Sequence, residues 1–397
     1  MTSLIANRSP RFFIALFGLA QIVSWGAVFY LFALLIVPLE RELGVSRNAI
    51  AGAFSVSLLA SGLAAPAIGR HIDAFGGRGA MSLGALASAL LLAALSQVHS
   101  LGALYLIWAL LGVAMAATLY ESAFAVVTQM FAENYRRAIT TLTLFGGFAS
   151  TVFWPFTARL IESFGWRTAT LFLAAIVAMT TLPVYALTIP RRAGNTGDRV
   201  STRDDAPFAE RAVWRDRRFV AFTASFTVQA LVLTGIGVHL LTMLDERGLS
   251  VTVAATLGAM IGPMQVAGRA LELAVSGRLS AVEVGRIAVV LLPVSLAVLL
   301  FAGTNLFLLG LFALLYGAGN GAMTIVRGAA PVEMFGRERY GALSGWIAMP
   351  SMFARAVGPL LAAALWSAFG GYGAVLAVLA ACTIIAAGLY WAAVRGK

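Results

Sequence analysis

A single cysteine, Cys382, stands in 397 residues, so no disulfide can form within the chain. Histidine is nearly as rare: His71, His99 and His239 lie far apart, and nothing has the spacing of metal ligands. Neither a metal nor any other cofactor is expected. Charged residues make up only 11% of the chain, where soluble domains use about a quarter. That scarcity excludes a water-soluble globular fold. The formal charge of +11 would point to nucleic acid in a soluble protein, yet the 28 basic residues, all arginine except Lys397, are scattered between apolar runs rather than gathered on one face with interleaved aromatics. Nucleic acid is therefore not an expected partner.

Apolar side chains fill the space that charge leaves. Hydrophobic residues reach 60%, in runs of about twenty that match the hydrocarbon core of a bilayer. These runs are too long and too evenly apolar for the alternating strands of an outer-membrane barrel, so the class is all-α integral membrane, with the lipid bilayer as partner. Spans are expected at about 12–38, 48–68, 79–96, 101–131, 138–160 and 168–189, then at about 219–243, 251–270, 286–302, 306–331, 341–365 and 373–394. The first is too long for a signal-peptide core and lacks a cleavage site, so it reads as uncleaved. Residues 191–218 are polar, with Gly194, Gly197, Asp204, Asp205 and Pro207. They read as a solvated linker whose tail, Phe208 to Arg215, could form a short amphipathic helix. The expected organisation is a six-helix bundle over 1–190, a cytoplasmic linker over 191–218 and a second six-helix bundle over 219–397.

Internal repetition supports two related halves. Met130-Phe131 and Met334-Phe335 recur at the same separation as Pro155 and Pro359, and Phe164-Gly165 and Phe369-Gly370 nearly so. Arginine placement then orients the chain. Arg41, Arg47, Arg159, Arg167 and Arg247 fall on one side, and the other basic residues between spans fall opposite, which puts both termini in the cytoplasm.

Between the second and third spans lies Gly69-Arg70-His71-Ile72-Asp73-Ala74-Phe75-Gly76-Gly77-Arg78. It resembles the loop motif of the major facilitator superfamily, Gly-x-x-x-Asp-x-x-Gly-x-Arg/Lys, with Gly69, Asp73, Gly76 and Arg78 at the matching places and Ala74 where the family has a basic residue. The resemblance implies twelve transmembrane helices in two pseudo-symmetric six-helix bundles and secondary transport by alternating access. It also implies a central cavity lined by spans one, four, seven and ten, and a cytoplasmic latch in which Asp73 is held near a helix N-terminus or an arginine. Gly69, Arg70, Asp73, Gly76 and Arg78 are accordingly expected at a gate. Gly268-Arg269-Ala270-Leu271-Glu272, with Arg278 beyond, is a degraded second copy, which makes Arg269 and Glu272 gate residues as well.

Within the superfamily, Trp25-Gly26, the turn from Glu40 to Ser46 and a basic residue on span eleven resemble the bacterial branch of monocarboxylate porters and oxalate/formate antiporters. That implies a small organic anion as substrate, a monomeric carrier and a bacterial cytoplasmic membrane. The oxalate/formate type has a second basic residue inside span eight; here that stretch holds Met260, Pro263 and Gln265, with Arg269 close to the end.

Charge inside a span is expensive, so it faces a partner or an aqueous cavity. Glu121 lies about 15 Å and Arg327 about 12 Å from the cytoplasmic ends of spans four and ten, and Arg355 about 22 Å into span eleven, at 1.5 Å per residue. Glu121 and Arg327 read either as an ion pair joining the halves or as part of a cavity that, with Arg355, favours an anion. On span ten, Tyr316, Asn320, Thr324 and Arg327 follow at helical spacing, a polar ladder on one face. Gln21, Trp25, Phe29 and Phe32 do the same on span one, as packing or as cavity lining. The expected substrate-binding set is thus Arg355, Arg327, Glu121, Asn320, Tyr316, Trp25 and Gln21. Glu121 and His239 are the candidate proton sites, and the alternative function is efflux of an amphipathic or drug-like compound through an apolar cavity. Enzyme activity is not expected: an intramembrane serine protease needs Gly-x-Ser-Gly, and before Ser344-Gly345 the first glycine is misplaced by one.

Overall fold

The computed structural model describes residues 10–131, 133–191 and 213–395. The amphipathic segment expected from Phe208 lies mostly outside them. Helices long and apolar enough to cross a membrane are α1 (Arg11–Leu43), α2 (Arg47–Phe75), α3 (Gly77–Leu95) and α4 (Leu101–Met130), then one continuous stretch Tyr135–Thr188. They continue with α7 (Arg217–Glu246), α8 (Val251–Val275), α9 (Ala281–Phe301), α10 (Leu306–Phe335), α11 (Tyr340–Phe369) and α12 (Tyr372–Ala393).

Tyr135–Thr188 has 54 residues, about 80 Å if straight, which is more than twice the hydrocarbon core. Gly165, at φ 77° and ψ 159°, interrupts it, and residues 135–164 (α5) and 166–188 (α6) make separate crossings. A polar turn from Glu162 to Arg167 is expected from sequence; the structure instead keeps helix up to the one residue that tolerates positive φ without strain. Twelve crossings result among the described residues.

The repetition is visible in the joints. Gly44 and Gly248 both turn at positive φ after α1 and α7, and Gly165 and Gly370 do so after α5 and α11. Ser46 and Ser250 then cap α2 and α8 by accepting from Ala49 N and Val253 N, the standard use of a serine at a helix start. On the same side Glu42 accepts from the Trp166 indole at 2.6 Å, and Glu246 from the Trp366 indole at 2.9 Å. Each half is therefore fastened within itself at that end.

Packing distinguishes the two ends. At the end bearing the Gly69–Arg78 loop, called here the motif side, one apolar core runs through both halves, with Phe17, Phe124 and Ile139 against Phe222, Val326 and Tyr340. At the opposite end each half has its own core, around Phe32, Trp108 and Leu173 in one and Leu240, Phe312 and Leu376 in the other. The halves are fused on the motif side and separate on the other. Two helices bend where the site lies: α1 passes through a π-helical segment, Trp25–Tyr30, and α4 breaks at Leu119, which is extended at φ −86° and ψ −164°.

Candidate binding cavity and latches

The break in α4 needs a cause, because no glycine or proline stands there. It is held by capture of the carbonyls it frees. Gln21 Nε2 donates to the Thr118 carbonyl at 2.7 Å and to Tyr185 Oη at 2.8 Å. Tyr185 Oη lies 3.3 Å from the same carbonyl and 3.1 Å from Ser24 Oγ, and Ser122 Oγ donates to the Ala116 carbonyl at 2.7 Å. Gln21 and Tyr185 are fully buried. The chain then restarts as helix at Tyr120, which places Glu121 in a first turn where a negative charge is favoured.

Glu121 Oε1 meets Arg327 Nη1 at 2.9 Å, an ion pair between α4 and α10 with side chains 11% and 14% exposed. The pair borders a cavity of about 20 Å³, enough for one water molecule. Trp25, Phe29, Leu58, Met115, Leu119 and Met352 form its apolar wall; Ser61, Glu121, Arg327 and Arg355 supply the polar one. Trp25 stands edge-on to Phe29 at 5.0 Å and tilted against Tyr120 at 4.7 Å.

Arg355 makes no ion pair with a carboxylate among the described residues. Its Nε is buried without an acceptor, and so is the Trp25 Nε1. Arg327 and Glu121 share the cavity lining with it. Arg269 is only 6% exposed; it donates to the Thr143 carbonyl at 2.9 Å and leaves its own Nε without an acceptor. Sequence places Arg269 near the end of span eight as a gate residue, whereas the longer α8 buries it well inside the helix.

The other candidates are dispersed. Gln21 serves the α4 break rather than the cavity. Tyr316 is buried and donates to the Leu233 carbonyl on α7 at 3.2 Å. Asn320 is partly buried outside the cavity lining, and its carbonyl accepts from Thr324 Oγ1 at 2.9 Å. Of the ladder on α10 only Arg327 lines the cavity. His239 Nε2 lies 3.0 Å from the Pro359 carbonyl and Nδ1 2.8 Å from Tyr372 Oη. A carbonyl can only accept, so Nε2 donates to it, and the tyrosine hydroxyl lies within hydrogen-bond distance of Nδ1. Both nitrogens are thus engaged.

The motif side carries two latches. Asp73 accepts from Gly341 N at 2.9 Å and Ala342 N at 2.8 Å, the first turn of α11. The residue before that turn, Arg339, has φ 59° and offers no side-chain cap, so the cap of α11 comes from the other half. Approach is close enough that a Cβ on Gly69 would lie 2.0 Å from the Gly341 carbonyl oxygen, which only glycine permits. Gly76, at φ 82°, ends α2, Arg70 is exposed, and Arg78 is partly buried in the first turn of α3.

The second latch is the repeat counterpart. Glu272 on α8, 2% exposed, accepts from Arg136 Nε at 2.7 Å and Thr140 Oγ1 at 2.8 Å. These donors stand in the first turns of α5, whose preceding Asn134 likewise provides no side-chain cap. Arg136 also donates to the carbonyls of Ser276 and Leu279. Arg136, Thr140, Ser61 and Tyr185 are site and latch residues that sequence reasoning missed. Only the charged turn around Arg136 carried a signal.

A twelve-helix bundle with latches at one end and a charged cavity at mid-depth defines a membrane carrier. Residues 17–296, more than half of the chain, match the Major Facilitator Superfamily, and the protein belongs to that family of transporters. No curated protein matches it in sequence. Among solved structures its fold is similar to the E. coli fucose:proton symporter FucP, with TM-score 0.77 and 14% identity over 98% of this chain and 100% of that one. FucP in the outward conformation gives 0.73 and 15% over 96% and 98%. The human organic anion transporter MFSD10 (TETRAN) gives 0.74 and 16% over 96% and 100%.

Proposed function

We propose that this transporter carries a small organic monoanion by alternating access, with Arg355 as the residue that holds the substrate carboxylate. One observation carries the reading: the cavity's orphaned buried nitrogens, Arg355 Nε and Trp25 Nε1, are both donors. Neither arginine nor tryptophan can accept a hydrogen bond. A ligand that satisfies them must bring acceptors, and a carboxylate facing a guanidinium does so with charge assistance. A lipophilic cation without acceptors does not meet that requirement, and a sugar hydroxyl meets it without the charge assistance.

The motif side faces the cytoplasm in this reading, so both termini are cytoplasmic, residues 1–190 and 219–397 are the moving bundles and 191–218 link them. The latched state is then outward-facing. The carrier is a monomer in a bacterial cytoplasmic membrane. Glu121 is the group that takes up a coupling proton: while ionised it holds Arg327, and once protonated it releases a second guanidinium toward the anion. Export of an amphipathic compound is the competing use of the same apolar wall; it requires neither Arg355 nor an acid.

The test is flux of radiolabelled monocarboxylates in proteoliposomes, with and without an imposed pH gradient. Arg355→Gln is expected to lower carboxylate flux by at least a hundredfold at unchanged folded protein, in line with the loss of a charged hydrogen-bonding partner in a buried site. Undiminished flux in that variant refutes the anion reading.

A further inference from the structure

Resting on the anion reading above, we infer that the acid carries a single carboxylate on a planar apolar body, and that dicarboxylates and small acids lacking such a body are poor substrates. The two orphaned donors, Arg355 Nε and Trp25 Nε1, are the number that one carboxylate can satisfy with its two oxygens. Few polar side chains remain in the lining. Glu121 is engaged by Arg327 at 2.9 Å, which leaves the Ser61 hydroxyl as the one further polar side chain around the cavity. A second carboxylate would have to take Arg327 away from Glu121, and a hydroxyl would have only Ser61 or the carboxylate already paired with Arg327 to meet.

The apolar wall sets the shape of the body. Trp25 presents its ring between Phe29 and Tyr120, with centroids 5.0 Å and 4.7 Å away, and an aromatic face of this kind favours a further ring stacked or edge-on. Met115 and Met352 complete the wall; their thioethers adapt to the outline of a ring and contact it favourably. Arg355 and Trp25 thus supply the cavity's unpartnered donors, and apolar side chains make up most of the rest of its wall. The 20 Å³ of free space is the latched state's; the body enters as the halves separate around Trp25 and Arg355.

Scintillation-proximity binding on the purified full chain tests this, with labelled benzoate as probe and unlabelled cyclohexanecarboxylate, butyrate, lactate and oxalate as competitors. Benzoate is expected to bind about ten- to a hundredfold more tightly than lactate or oxalate, the usual discrimination of an apolar pocket, and more tightly than the non-planar ring acid. Trp25→Leu should lower benzoate affinity about tenfold and butyrate affinity less. The competition series on the unmodified protein stands even if that variant fails to fold. Lactate or oxalate binding as tightly as benzoate in an Arg355-dependent manner overturns the planar-body inference and leaves the anion reading standing. No Arg355-dependent binding of any carboxylate overturns both.

Discussion

Replacing Asp73 by alanine removes the two acceptors that cap α11, at 2.9 Å from Gly341 N and 2.8 Å from Ala342 N. Loss of an N-cap side chain costs about 0.5–2 kcal/mol, and α11 has no cap of its own to fall back on, since Arg339 makes no side-chain cap. The interaction exists only while the halves are together on the motif side, so its whole value weighs on the latched state. One to two kcal/mol changes a two-state ratio by about 5- to 30-fold. The measurement is a pulsed electron-spin distance in nanodiscs between labels at Phe75→Cys and Glu338→Cys, both exposed on that side, in a background where Cys382 is replaced by alanine. The long-distance population should rise by that factor in Asp73→Ala and by less in Asp73→Asn, which keeps one acceptor. Superimposable distributions for Asp73→Ala and the parent would show that the cap does not hold the latch, and the reasoning would fail.

Further expectations concern the interior. Arg327→Gln leaves Glu121 without its partner and should destabilise the detergent-solubilised protein by about 3 kcal/mol, the low end for a buried pair because both side chains keep slight exposure. Adding Glu121→Gln should restore most of that loss in thermal unfolding, and a double variant as weak as the sum of the singles would disprove the coupling. Tyr185→Phe deletes a hydroxyl that lies within hydrogen-bonding distance of Gln21, Ser24 and the Thr118 carbonyl. It should cost about 1–2 kcal/mol of stability and raise the KM for the transported acid. An unchanged KM would detach the α4 break from substrate binding.

The spans, the loop motif and the duplication follow from apolar run length and glycine placement, which act locally and are therefore readable along the chain. The depth estimate for Glu121 and Arg327 is also local, and it brings to comparable height two residues that the structure joins. The features that sequence does not reveal depend on departures from a regular helix. Gln21, Trp25 and Phe29 share a face if α1 keeps 3.6 residues per turn, but the π-helical segment from Trp25 to Tyr30 widens the turn and rotates the rest of the helix. Gln21 then faces Thr118 and Tyr185 while Trp25 and Phe29 line the cavity. The α4 break has little local signal, because apart from Ser122 the side chains that hold it come from α1 and α6. Arg269 departs from expectation for a simpler reason: α8 runs to Val275, so a residue that sequence puts near the helix end lies inside. Tyr316 keeps the helical spacing of the ladder, yet spacing alone does not say which neighbour a helix face meets.

The two latches make different demands on variation. Asp73 grips main-chain amides, which persist whatever side chain, short of proline, occupies positions 341 and 342; beside it the fastening needs the bare contact between Gly69 and Gly341. Glu272 grips a guanidinium and a hydroxyl, so a change at Arg136 strands it and has to be answered by a change at position 272. Drift in this chain would therefore move one fastening by single steps and the other by matched pairs, and a swap of halves with a distant carrier would preserve the first fastening far more readily than the second.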